Sequence, residues 1–161
     1  MRIGIGYDIH RLSEEKDKLI LGGVEIPYIK GLIGYSDADV LLHAVCDALL
    51  GAAALGDIGI HFPDTDPSFK DISSVKLLKE VSKLLAKEKF YIINIDSTLI
   101  AEEPKLGPFK VKIRNSMAAI LGLKENQVNV KATTSEGYGA IGKGEAMAAF
   151  AVASIEKVVS G

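Results

Sequence analysis

The chain has 161 residues, of which 48% are hydrophobic and 25% charged, and its formal net charge is −2. One domain over 1–161 can bury most of its apolar surface, and the balanced composition excludes a disordered polymer and a globally basic nucleic-acid-binding surface. The single cysteine, Cys46, excludes an internal disulfide and reads as core packing in a reducing compartment.

Residues 2–10 combine β-branched residues with glycines and show no helical period, which predicts an opening strand. No basic segment or apolar leader precedes it, so the expected location is cytoplasmic. Residues 19–21 and 24–27, separated by Gly22-Gly23, predict a hairpin. From Asp37 onward, Leu41, Leu42, Val45, Ala48, Leu49 and Ala52 recur at helical steps, with Ser36 or Asp37 as N-cap and an end near Gly56. The apolar stretch around that helix contains His43, Asp47 and Gly51 and is too short and polar to span a bilayer.

A second helical stripe is Leu77, Leu78, Val81, Leu84 and Leu85, backed by the solvated lysines 79, 83 and 87. Residues 91–101 predict a long strand, 109–121 a third helix closed by Gly122, and 127–133 another strand. Residues 145–159 are Ala-rich, so local propensity says helix while no period settles it. The whole reads as an α+β sandwich, sheet on one side and helices on the other.

Asp8-Ile9-His10 puts a carboxylate and an imidazole on one face of a strand, where they can share an ion. A third ligand such as His43 would complete two nitrogens and one oxygen and leave a position for substrate. The competing reading is a strand-end aspartate in a turn. Asp39, His43 and Asp47 form one helical stripe, so either carboxylate can orient the histidine; alternatively, Asp39 assists the helix start and Asp47 faces solvent. His61 stands apart in a loop.

Residues 56–67 hold two prolines, two glycines and three aspartates, which is a turn-rich connector or a lid whose acceptors bind polyol hydroxyls. Lys131-Ala132-Thr133-Thr134-Ser135-Glu136 brings three hydroxyls and a carboxylate to a strand end, suited to phosphate oxygens and a bridging Mg²⁺-like ion. Residues 137–144 nearly spell a P-loop, but Gly144 replaces the hydroxyl residue that would bind Mg²⁺. Gly4-x-Gly6 lacks a third glycine and opens no helix, so neither is a nucleotide fingerprint.

Taken together, Gly4-Ile5-Gly6-Tyr7-Asp8-Ile9-His10, Ser36-Asp37-Ala38-Asp39-Val40-Leu41-Leu42-His43-Ala44, the 47–59 block, Phe62-Pro63-Asp64-Thr65-Asp66-Pro67 and Lys131-Ala132-Thr133-Thr134 resemble the 2-C-methyl-D-erythritol 2,4-cyclodiphosphate synthases. The resemblance spans nearly the whole chain. It implies a ferredoxin-like sheet-and-helix sandwich, a strand over 145–159, and a homotrimer with active sites between subunits.

The implied reaction closes 4-diphosphocytidyl-2-C-methyl-D-erythritol 2-phosphate on itself, releasing CMP in the non-mevalonate isoprenoid pathway. The resemblance further implies Zn²⁺ on Asp8, His10 and His43, and Mg²⁺ or Mn²⁺ on the substrate diphosphate held by Glu136. It places Tyr35 and Thr134 at catalytic positions. Substrate contacts fall on Asp8, Ile9, His10, Tyr35, Ser36, Asp57, Ile58, Gly59, Phe62, Pro63, Asp64, Thr65 and Asp66, then on Ala101, Lys105, Leu106, Gly107, Thr133, Thr134, Ser135, Glu136, Ala140 and Lys143. An isoprenoid diphosphate on the trimer axis is a further implied partner, with no nucleic acid and no membrane.

Three positions depart from the family pattern. Tyr35 stands where histidine is common and donates a hydrogen bond without carrying positive charge; Lys143 stands for arginine and keeps charge without bidentate geometry; Ala140 is smaller than usual. Rival readings are a zinc phosphoesterase and a trimeric sensor of isoprenoid diphosphates.

Overall fold

The computed structural model describes residues 1–158, so Val159, the last position of the expected final strand, lies outside the described residues. The elements are β1 (Arg2–Ser13), β2 (Leu19–Leu21), β3 (Val24–Ile26), β4 (Gly31–Ile33), α1 (Val40–Ala53), α2 (Ile58–His61), α3 (Ser74–Lys87), β5 (Phe90–Ile100), α4 (Lys110–Leu121), β6 (Val128–Thr133), α5 (Gly139–Gly142) and β7 (Ala146–Lys157). Helices α2 and α5 are single turns.

The predicted hairpin is β2 and β3, and Gly22 and Gly23 take φ of 60° and 72°, the doubly left-handed turn that a two-residue hairpin favours. Helix α4 ends as expected on Gly122, at φ 67°. The Ala-rich final segment is strand β7 despite its helical propensity. It lies between β1 and β5, and its buried alanines at 149, 151 and 153 let α1 approach the sheet closely.

The main sheet runs β4-β1-β7-β5-β6, with every pairing antiparallel except β5 with β6. That parallel pair needs a crossover, which α4 supplies. The sheet-and-helix sandwich is as expected, but its connectivity is not ferredoxin-like. Apart from β4 and the small hairpin, the order of strands and long helices is β-α-α-β-α-β-β rather than β-α-β-β-α-β. Hydrophobic period tells strand from helix; it does not say which strands pair.

Helix α1 lies across β1 and β7, with α3 packed over it, and is buried on nearly every side. Gly4 and Gly6 make this possible: a Cβ would lie 2.1 Å from the Ala48 carbonyl oxygen in one case and 1.9 Å from that of Ala44 in the other. The N-cap is Asp39 rather than Ser36 or Asp37, and the helix closes near Gly56 as expected, on Ala54 in the left-handed region. Asp39 prevails because its carboxylate accepts from Leu42 and also from Gly22 and Gly23 of the hairpin turn. Cys46 is fully buried in α1, as expected, and that burial pushes its thiol up.

The other sheet face is bare. Ile3, Ile5, Tyr7 and Ile9 of β1 and Phe150 and Val152 of β7 are exposed large apolar residues, and the Tyr7 and Phe150 rings lie 4.7 Å apart. No helix among the described residues is long and apolar enough to cross a membrane.

Candidate active site

Asp8 and His10 continue along β1 the helix-facing side that Gly4 and Gly6 begin, and His43 meets them from α1. Asp8 Oδ2 lies 2.9 Å from His10 Nε2 and 2.9 Å from His43 Nδ1, and the two ring nitrogens are 3.1 Å apart. Three ligand atoms thus converge on one point, and this is the cluster of metal-ligating side chains found among the described residues. Two imidazole nitrogens and one carboxylate oxygen suit a divalent ion of the zinc type, with bonds of about 2 Å.

The distal ring nitrogens are also engaged. His10 Nδ1 donates to the Ile33 carbonyl at 2.9 Å, which leaves Nε2 facing inward. His43 Nε2 lies 2.9 Å from Ser74 Oγ and 3.1 Å from Ser36 Oγ. Burial opposes charge on Asp8, but hydrogen bonds from His10 and His43 outweigh it and hold the carboxyl well below the usual range. At His10 burial pulls downward, and the hydrogen bond and charge of Asp8 more than offset it, so the imidazole is raised.

Neither carboxylate of the expected stripe orients His43. Asp39 is spent on three N–H groups, that of Leu42 in the first turn of α1 and those of Gly22 and Gly23 in the hairpin turn, and Asp47 accepts from Ile58 N at 2.8 Å. Helical spacing aligned these residues correctly but cannot report that backbone N–H groups compete for the same oxygens. His61 stays out of the cluster, bonded to the Leu55 carbonyl at 2.8 Å.

Beside the cluster is a cavity of about 270 Å³ lined by His10, His43, Tyr35, Ser36, Ile58, Phe62 and Asp64. The Tyr35 hydroxyl donates to the Asp66 carbonyl at 3.1 Å. Asp57 and Asp66 cap short turns, accepting from Ile60 N and Ser68 N, so these two behave as connector residues while Asp64 lines the cavity. Gly59, Pro63 and Thr65 lie on the same loop and outside the lining.

A second cavity, also about 270 Å³, gathers Ala101, Lys105, Leu106, Gly107, Thr133 and Thr134 between the ends of β5 and β6. Thr134 Oγ1 donates to Glu136 Oε1 at 2.9 Å. Glu102, missed in the sequence, holds this end together: one oxygen accepts from Ser135 N at 2.9 Å, Gly137 N at 3.2 Å and Ser135 Oγ at 3.2 Å. Those bonds keep its carboxyl below the usual range, Gly137 contributing most. Strands β7 and β5 lie between β1, which carries Asp8 and His10, and β6, which ends at Thr133, so these two strands are three spacings apart, roughly 14 Å.

A third cavity of about 620 Å³ holds Ile9, Ala140 and Lys143, with Arg11 and Lys30 beside them.

Residues 1–156 match the model of the YgbB family. The chain belongs to that family. One relative of this YgbB-family chain, the 2-C-methyl-D-erythritol 2,4-cyclodiphosphate synthase of Desulfatibacillum aliphaticivorans, is 59% identical over 156 residues, covering 97% of this chain and 100% of that one. Among solved structures, a 2C-methyl-D-erythritol-2,4-cyclodiphosphate synthase in a CDP-bound form superposes with a TM-score of 0.88 at 36% identity, covering 96% of this chain and all of that one. The bifunctional IspDF of Campylobacter jejuni matches with a TM-score of 0.93 at 43% identity; 98% of this chain is covered, and it spans 42% of that longer protein.

Proposed function

We propose that the chain converts 4-diphosphocytidyl-2-C-methyl-D-erythritol 2-phosphate to 2-C-methyl-D-erythritol 2,4-cyclodiphosphate and CMP, as a phosphorus–oxygen lyase. The observation that carries this reading is the convergence of Asp8, His10 and His43 beside an open cavity, in a chain 59% identical to a synthase of that name. In the reaction an oxygen of the 2-phosphate attacks the β-phosphorus in line, and the bond from that phosphorus to the CMP oxygen breaks. Two anionic groups have to be brought together.

Bound Zn²⁺ on Asp8, His10 and His43, with Mg²⁺ or Mn²⁺ on the diphosphate beside Glu136, lowers that repulsion and offsets charge on the leaving CMP. The protein's own residues supply position. Tyr35, Ser36, residues 57–59 and residues 62–66 enclose the erythritol end, while Ala101, residues 105–107, Thr133 and Thr134 hold the cytidine and its phosphates. Gripping both ends of one flexible molecule provides the proximity contribution.

The site is completed between subunits of a homotrimer. Support comes from the division of the two half-sites between β1 and β6, three strand spacings or roughly 14 Å apart in the sheet, and from the bare apolar face of β1 and β7. Lys143, with Arg11 and Lys30, supplies positive charge for an isoprenoid diphosphate on the trimer axis.

Phosphorus NMR on the diphosphocytidyl substrate tests the reaction: a cyclic diphosphate with CMP is expected, open-chain phosphates mean a zinc hydrolase, and an unchanged spectrum means a binding module. His43→Ala is expected to lose both bound zinc and CMP release; normal values of both remove His43 from the site.

A further inference from the structure

Ser74, the first residue of α3, is completely buried although it is polar, and 31 positions separate it from His43, whose Nε2 lies 2.9 Å from its hydroxyl oxygen. The same hydroxyl makes a short hydrogen bond to Asp37 Oδ1, and Asp37 Oδ2 accepts from Ser74 N at 3.0 Å. The backbone locks this contact in place, since Asp37 N donates to the Ile72 carbonyl at 3.1 Å and Asp71 N to that of Tyr35 at 2.8 Å.

The protons can be counted. A carboxylate only accepts, so the one hydroxyl proton of Ser74 goes to Asp37. Only lone pairs of Ser74 Oγ then face His43, and an unprotonated Nε2 at that distance would set lone pair against lone pair. Nε2 therefore carries the ring proton. Nδ1, which donates to Asp8 Oδ2 at 2.9 Å when no ion is bound, is then the nitrogen that would give up its proton to a cation held with Asp8 and His10. Ser36 Oγ, 3.1 Å from the same nitrogen, is already an acceptor for Ala38 N and offers a second, weaker acceptor to the ring.

We infer that Ser74, anchored by Asp37, is a positioning residue that sets the tautomer and orientation of His43 as a metal ligand. This rests on the proposed metal centre. It assigns to Asp37 and Ser74 the carboxylate support that the helical stripe would have given to Asp39 or Asp47. It also joins the start of α3 to the ligand set, because a hydrogen bond relayed to a carboxylate in a buried setting is stronger than a neutral one in water.

Loss of such an outer partner typically weakens metal binding roughly 10–100-fold. The test is zinc binding by the full-length protein in competition with a colorimetric chelator. Ser74→Ala is expected to raise the zinc Kd by roughly 10–100-fold, and Asp37→Asn, which keeps the hydroxyl and removes the charge, by roughly tenfold. The metal-free unfolding temperature of Asp37→Asn should remain near that of wild type, so the loss is one of metal and not of fold.

Imidazole ¹H–¹⁵N spectra of the zinc-loaded wild type should show the His43 proton on Nε2 and slow to exchange. Its exchange should quicken in both variants. Zinc affinities within about twofold of wild type in both variants would overturn the inference while leaving the metal centre standing, as would a His43 proton on Nδ1. A wild-type protein that does not bind zinc overturns both.

Discussion

His10 stands between the Ile33 carbonyl and the Asp8 carboxylate, and that placement gives it two opposite pH dependences. Its imidazole is raised above the usual 6.5 against the pull of burial. Without metal, the protonated His10 with Asp8 stabilises the fold fully below the ordinary histidine value, and that contribution is lost as pH rises through the raised one. With zinc the sign reverses, because the proton competes for the ligand nitrogen and rising pH strengthens binding. The stabilisation that zinc adds should therefore be larger at pH 8 than at pH 6, and it should begin to fade above 6.5 on acidification. Thermal unfolding at both pH values, with zinc and with a chelator, checks this; a zinc increment independent of pH would remove His10 from the ligand set.

Among the elements, α1 and β1 matter most, since the candidate metal ligands are divided between them. Their approach depends on Gly6, where a Cβ would sit 1.9 Å from the Ala44 carbonyl oxygen. Gly6→Ala must push helix from strand. It is expected to cost at least about 2 kcal/mol of stability, and to weaken zinc binding because His43 moves away from Asp8 and His10. Urea unfolding and a zinc titration on the same variant read both effects. Most elements were legible in the sequence because period, turn glycines and caps are local signals, as at Gly22-Gly23 and Gly122. The start of α1 was not. Ser36, Asp37 and Asp39 are all competent caps, and what distinguished them was a hairpin turn 16 and 17 residues earlier.

For the whole molecule, the apolar stripe of Ile3, Ile5, Tyr7 and Ile9 alternates with Gly4, Gly6, Asp8 and His10, so one strand carries the bare apolar surface on one face and the candidate metal site on the other; the proposed trimer would cover the first. Ile5→Lys places a charge in the middle of the bare face. Sedimentation velocity should give a trimer for wild type and a monomer for the variant, which should still bind zinc but release little CMP. Full CMP release by a monomer would show that one protomer's half-sites suffice.

Residue types and their local spacing determined most of the strands and helices and the Asp8-x-His10 pair, while the resemblance of the ordered blocks supplied the final strand, His43 as the third ligand and the reaction. Tertiary structure alone decided that β5 pairs parallel with β6, that Asp39 and Asp47 serve backbone N–H groups, and that Ser74 and Asp37 stand behind His43. It also separated Thr133, Thr134 and Glu136 from the metal cluster by the width of β7 and β5. The reason is physical: a period of 2 or 3.6 residues says which face a side chain occupies, whereas a partner 11 or more positions away is chosen by packing, which leaves no local periodic trace.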